Sequence, residues 1–211
     1  MKLEGEYIFN GTREEVWDLV RDPEVLATAL PGTQDLQKIS DIEYAGKMNI
    51  RVGPVSGVFS GKVLVSNEVP PESYTLSVEG RGAAGHGQGA GDVQLIDQGD
   101  GTTLMKYSGE LQVGGKMASV GQRLLDSVSR SITRQGLETL NKALQAKGQA
   151  KTEGREVEYT PPSEAQFAAS VVKDMASEVF SPEHQAVWTA VAIAIVSLMI
   201  GFWLGKSSQR G

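Results

Sequence analysis

The stretch GKMASVGQRLLDSVSRSITRQGLETLNKALQAK, residues 115–147, decides the architecture. In it Met117, Val120, Leu124, Val128, Ile132, Leu140 and Leu144 recur three or four residues apart, interrupted near Gln135 and Gly136, while Lys116, Gln122, Asp126, Arg130 and Lys142 fall between them. That spacing lines the apolar side chains along one face of a helix and turns the polar ones to water. One long amphipathic helix is predicted, with a face that must be covered by whatever precedes it.

What precedes it alternates. Leu3, Gly5, Tyr7 and Phe9 interleave with Lys2, Glu4 and Glu6, the period of two expected of a strand with one inward face. Thr12-Arg13-Glu14-Glu15 is a capping-box pattern opening a short helix through Val16, Trp17 and Val20. Asp22-Pro23 caps and starts a second, which Pro31-Gly32 stops. Tyr44, Gly46, Met48, Ile50 and Val52 then share one face. Val55, Gly57, Phe59, Gly61, Val63 and Val65 repeat the pattern, followed by Tyr74, Leu76 and Val78, by Val93 and Leu95, and by Met105, Tyr107, Gly109, Leu111 and Val113. The fold class expected is α+β: a curved antiparallel sheet gripping a long C-terminal helix.

Composition narrows the function. A net charge of -6 and an isoelectric point near 5.1 exclude nucleic acid, whose phosphates require a basic face. Without cysteine there is no disulfide, thiolate nucleophile or cysteine metal site. No export signal is visible at Met1–Phe9, so the domain is expected in the cytosol. Asn10-Gly11-Thr12, although it fits a glycosylation acceptor, then reads as a turn and a cap. Glycine is abundant, 25 of 211 residues against an ordinary ~7%. Parity puts Gly5, Gly46, Gly57, Gly61, Gly80, Gly82 and Gly109 inward, where absent side chains either let the sheet bend or leave volume beneath the helix. Both readings stand at this point.

Catalytic motifs do not assemble. Gly80-Arg81-Gly82-Ala83-Ala84-Gly85 fits the dinucleotide fingerprint, but the following His86-Gly87-Gln88-Gly89-Ala90-Gly91 does not sustain the helix that fingerprint needs. His86 and His184 are the two histidines; His86 points outward by parity and reads as a solvated loop residue. No metal site or nucleophile–base set follows from local spacing.

Several motifs in this order resemble one family. Ala29-Leu30-Pro31-Gly32-Thr33, Val52-Gly53-Pro54-Val55-Ser56-Gly57, Gly82-Ala83-Ala84-Gly85 and Val113-Gly114-Gly115-Lys116, followed by Gly121-Gln122-Arg123-Leu124-Leu125-Asp126, are similar to the carbon monoxide dehydrogenase CoxG family of the START-like (SRPBCC) superfamily. The resemblance covers Met1 to about Ala146 and implies a helix-grip fold. It also implies a non-catalytic accessory to molybdenum hydroxylases such as carbon monoxide dehydrogenase, associated with membrane docking and with a quinone-like lipid.

The tail is read separately. The START-like domain is expected over 1–147 and a flexible linker over 148–162, where Pro161-Pro162 and charged residues dominate. Phe167, Val171, Met175 and Val179 make 163–180 an amphipathic helix, with too few basic residues for lipid adsorption, so a protein partner is favoured. Residues 186–205 carry no charge and at ~1.5 Å per residue reach ~30 Å, the hydrocarbon thickness. Trp188 and Trp203 stand near the ends and Lys206 and Arg210 follow, as expected of a single-pass tail anchor with its domain on the cytoplasmic side.

The ligand site expected lies between helix and sheet, lined by Met48, Ile50, Phe59, Leu76, Met105, Tyr107, Leu124 and Val128, and takes a hydrophobic small molecule, in the first instance a quinone. The alternatives are an enzyme of the same fold, a cyclase or hydrolase drawing on inward Tyr7, Tyr44, Tyr74 and Tyr107, and a recruitment factor with a filled core and no ligand.

Overall fold

The computed structural model describes residues 1–30 and 32–153. The sequence elements appear in the expected order. Strand β1 (Lys2–Phe9) leads into α1 (Arg13–Leu19) and α2 (Pro23–Ala29), then β2 (Thr33–Lys38), β3 (Glu43–Val52), β4 (Val55–Val69), β5 (Ser73–Gly82), β6 (Gly85–Asp97) and β7 (Thr103–Gly114). A 3₁₀ turn (Gly115–Val120) and the long helix α3 (Gln122–Glu153) close the described chain.

The short helices begin where their caps dictate. Thr12 Oγ1 accepts from the Glu15 amide at 3.3 Å while the Glu15 carboxylate accepts from the Thr12 amide at 3.0 Å, satisfying two otherwise open donors. The Asp22 carboxylate accepts from the amides of Glu24 and Val25, with Pro23 at the first helical position.

All seven strands form one antiparallel sheet in the order β1-β7-β6-β5-β4-β3-β2. Chain neighbours β2 to β7 are therefore sheet neighbours, and β1 joins last, on β7. The α3 backbone runs closest to α1 and α2 and to the flanking strands β1 and β3. This is the helix grip: the sheet wraps from one side of α3 to the other, with β4, β5 and β6 at the bottom of the wrap.

The main core sits at one end. Phe9, Val16, Trp17, Leu19, Tyr44, Val65, Tyr74, Leu95, Met105, Leu140 and Leu144 pack there, joining α1, α2, the C-terminal half of α3 and the adjoining ends of the strands. Trp17 meets Tyr74 edge to face at 5.6 Å, and the Arg21 guanidinium lies over the Trp17 ring while pairing with Glu68. Lys147 Nζ pairs with Asp22 at 2.9 Å, tying α3 to the start of α2.

Four expectations are corrected. The long helix does not start at Gly115: residues 115–120 form a 3₁₀ turn, and Gly121, at φ +92°, turns the chain before α3 begins. Helix α3 also continues through Gly148 to Glu153, into the stretch expected as linker. Strand β2 is not legible in the sequence pattern, and β6 begins at Gly85, so His86 sits in a strand rather than a loop, exposed and on the outward face as parity requires. The remainder of the linker, the helix expected over 163–180 and the run 186–205 lie outside the described residues. Among the described residues, no helix is long and apolar enough to cross a membrane.

Candidate functional site

The inward face of the sheet contains a band without side chains. Cross-strand register places Gly46 opposite Gly61, Gly61 opposite Gly80, and Gly80 opposite Gly87. Directly opposed residues project to the same face, so these four glycines cross β3, β4, β5 and β6 at one level. Gly91 opposite Gly109 adds a second pair, nearer the core.

The two roles open to these glycines divide between positions. At Gly109 a Cβ would stand 2.7 Å from the Ala90 carbonyl oxygen and 2.9 Å from Gly91 Cα; at Gly61 it would stand 2.9 Å from the Glu79 carbonyl oxygen. Backbone cannot step aside, so these glycines let strands cross closely where the sheet bends. At Gly80 the nearest atom is the Ser60 carbonyl oxygen at 3.9 Å, and at Gly87 the Gln112 carbonyl oxygen at 3.7 Å. Those two leave volume.

Burial along the same face marks where that volume lies. Toward the opposite end from the main core, Val52, Phe59, Ala84, Met117, Leu125 and Val128 are buried in a second cluster. Between the two clusters Met48, Ile50, Val63, Leu76, Val78, Leu111 and Leu124 are only half-buried, although all belong to the inward set. Apolar residues that face a helix in a filled core exclude water completely. Partial exposure above a glycine floor describes an accessible space between α3 and the middle strands.

The eight expected lining residues divide accordingly. Met48, Ile50, Phe59, Leu124 and Val128 gather on the side of the second cluster; Leu124 Cδ2 would be 3.2 Å from a Cβ at Gly53, in the β3–β4 turn. Met105 is buried in the main core, and Leu76 and Tyr107 pack against that core. Three grooves are found elsewhere: two on the outward face of the sheet, one including Glu43, Lys62, Leu64 and Gln112 and the other Lys47, Ser60 and Arg81, and a third around the β5–β6 turn. None takes a wall from those eight residues.

The tyrosines separate by depth. Tyr44 donates its hydroxyl to the Arg21 carbonyl at 2.9 Å, and Tyr74 is buried against Trp17, its phenol pushed well above the usual tyrosine range by desolvation. Both are core residues rather than site residues. Tyr7 and Tyr107 remain half-buried, their phenols raised mainly by desolvation, so each stays a protonated donor at neutral pH. Tyr7 also hydrogen-bonds Asn141, and the Tyr107 hydroxyl lies over Gly5 in the place a side chain there would take.

Two polar features are missed by reading the sequence for apolar periodicity. Ser127, Ser131, Gln135 and Thr139 step down α3 four residues apart; the last three are buried, and Gln135 Nε2 donates to Ser131 Oγ at 3.1 Å. Their spacing is present in the sequence, inside a stripe recognised by its apolar residues alone. The other is Thr33, opposite Met48 at the start of β2, whose Oγ1 is shielded from solvent without a hydrogen-bond partner among the described residues. Register gives Thr33 and Met48 the same face, so a withheld hydroxyl borders the half-buried apolar wall.

Comparison with known proteins agrees with this geometry. The family model for the carbon monoxide dehydrogenase protein CoxG matches residues 5–145. A conserved protein from Geobacillus kaustophilus is 29% identical, with a TM-score of 0.66, over 69% of this chain and 95% of that one. The Zhui aromatase/cyclase from Streptomyces sp. R1128 is 10% identical, with a TM-score of 0.52, over 72% of this chain and 97% of its own. Protein Ms6760 from Mycobacterium smegmatis is 16% identical, with a TM-score of 0.51, over 69% and 92%. At their low identity the last two show the fold alone, in which helix-grip START-like proteins share this arrangement. No curated protein matches the chain.

Proposed function

The chain belongs to the carbon monoxide dehydrogenase CoxG family, and from that premise we propose that it is a non-catalytic accessory protein that holds an apolar ligand of the quinone class and serves a molybdenum hydroxylase of the carbon monoxide dehydrogenase type at the membrane. The carrying observation is the accessible space above Gly80 and Gly87, bordered by apolar side chains that remain half-buried. A site of this kind binds by area, with a few polar groups setting orientation. Tyr107 and Thr33 supply such groups. A quinone has the matching form, a flat apolar body with carbonyl acceptors.

The tail supports the membrane and partner parts of the reading. Residues 186–205 are uncharged and long enough to span, and the apolar spacing within 163–180 suits a helix laid against a protein partner. The reading keeps the domain on the cytoplasmic side.

Thr33 gives the test. In the full chain, Thr33→Val keeps the shape and removes the hydroxyl. Titration calorimetry with a short-chain benzoquinone analogue is expected to show the parent binding and the variant weakened about tenfold, ~1.4 kcal/mol, the worth of one hydrogen bond. Thermal stability should stay level or rise slightly, because a buried hydroxyl without a partner is lost. A parent that does not bind the analogue contradicts the ligand assignment; a variant that binds as tightly removes Thr33 from it.

A further inference from the structure

The charged residues are sorted between the two ends of the domain. Most lysines and arginines are paired: Lys2 with Glu4, Arg13 with Glu72, Arg21 with Glu68, Lys62 with Glu43 and Lys147 with Asp22, for example. Among the described residues, Arg51, Arg81, Lys116 and Arg123 show no ion pair and all are exposed; Lys106 and Lys142 share that state elsewhere on the surface.

Those four stand around one opening. Arg51 precedes the β3–β4 turn, and Arg123 adjoins Leu124, which reaches Gly53 in that turn. Arg81 lies on the β5–β6 hairpin opposite His86, and Lys116 belongs to the 3₁₀ turn, which the Met117 amide ties to the Ala84 carbonyl at 3.0 Å. Glu79 and Asp126 are the nearby carboxylates, the latter accepting from Gln122 at 2.8 Å. Exposed Pro54, Val58 and Ala83 stand between the cations. At the far end the exposed residues are Glu14, Glu15, Asp18, Glu24, Asp97 and Asp100.

We infer that this end docks on an anionic bilayer surface, the cations meeting lipid headgroups and the apolar tips of the two hairpins entering the interface. Basic side chains close to anionic lipid are attracted within a Debye length, and the acidic far end turns the domain the same way. A bilayer fits better than an acidic protein face for two reasons. The cations ring apolar tips instead of forming a flat patch, and the same chain carries the uncharged run 186–205. Docked so, the space between α3 and the sheet opens toward the phase in which an apolar ligand dissolves. The inference adds a contact surface to the function proposed above and holds whether or not the space takes a quinone.

The absence of cysteine allows a clean test in the full chain. A fluorophore on Ala83→Cys, or on Gln98→Cys at the far end as a control, is combined with vesicles containing a brominated phosphatidylcholine as quencher. The expected result is quenching at position 83 about fivefold greater when roughly one-third of the lipid is phosphatidylglycerol than in phosphatidylcholine alone, with little at position 98. It should fall back near 1 M salt, where the Debye length is ~3 Å, and on the double substitution Arg81→Glu with Lys116→Glu. Salt acts on the unmodified charge ring, so the test stands even if the double variant fails to fold. Equal quenching in both lipids, equal quenching at both positions, or none at position 83 overturns the proposal; the last leaves an acidic protein as the occupant.

Discussion

Replacing Gly80 with leucine is expected to abolish ligand binding without unfolding the protein. Gly80 lies in β5, at the bottom of the wrapped sheet, and a Cβ there meets nothing nearer than 3.9 Å. The leucine side chain then projects into the space above the glycine band and takes the volume a ligand would occupy. Affinity for the benzoquinone analogue should fall at least about a hundredfold, ~2.7 kcal/mol, by calorimetry. Stability should change by no more than about 1 kcal/mol, since glycine within a strand is itself unfavourable and its replacement offsets part of any crowding. Gly61 would make a confounded test, because its Cβ already approaches the Glu79 carbonyl oxygen at 2.9 Å. A folded leucine variant that binds as the parent does places the ligand elsewhere.

Gly109 predicts the opposite pairing of effects. Its Cβ would stand 2.7 Å from the Ala90 carbonyl oxygen and 2.9 Å from Gly91 Cα, both main-chain atoms of β6. Gly109→Val must push β7 away from β6 at the Gly91 pair. A loss of roughly 3 kcal/mol is expected, at the upper end of overpacking costs, read as a drop in thermal midpoint of about 6–12 °C. Any loss of binding in this variant should track the loss of folded protein. Unchanged stability would show that the sheet has more freedom there than the register allows.

Legibility in the sequence follows side-chain contrast. Strands β1, β3, β4 and β7 alternate apolar with polar residues, and their inward faces are readable from period alone. The first half of β6 is not: its inward positions Gly85, Gly87, Gly89 and Gly91 carry no side chain, so nothing distinguishes the faces. Strand β2 is hidden by a register shift between Gln34 and Gln37, with Asp35 at φ +54°, which leaves Thr33 and Leu36 as its inward residues. Parity assigns a face but not a level along the strand. It therefore places Tyr44, Tyr74 and Met105 inward correctly, and only the packing around Trp17 and Phe9 shows that they belong to the core. Whether the inward glycines give curvature or space is not readable from composition, because the answer depends on how closely a neighbouring carbonyl approaches each one.

The central claim is that the space above Gly80 and Gly87 holds an apolar molecule. The most direct measurement is mass spectrometry of the organic extract from the full chain purified out of its membranes, beside the same extract from Gly80→Leu. The account predicts a quinone-class lipid at a substantial fraction of one per parent chain and its loss from the variant; equal amounts in both, or none in the parent, would contradict it.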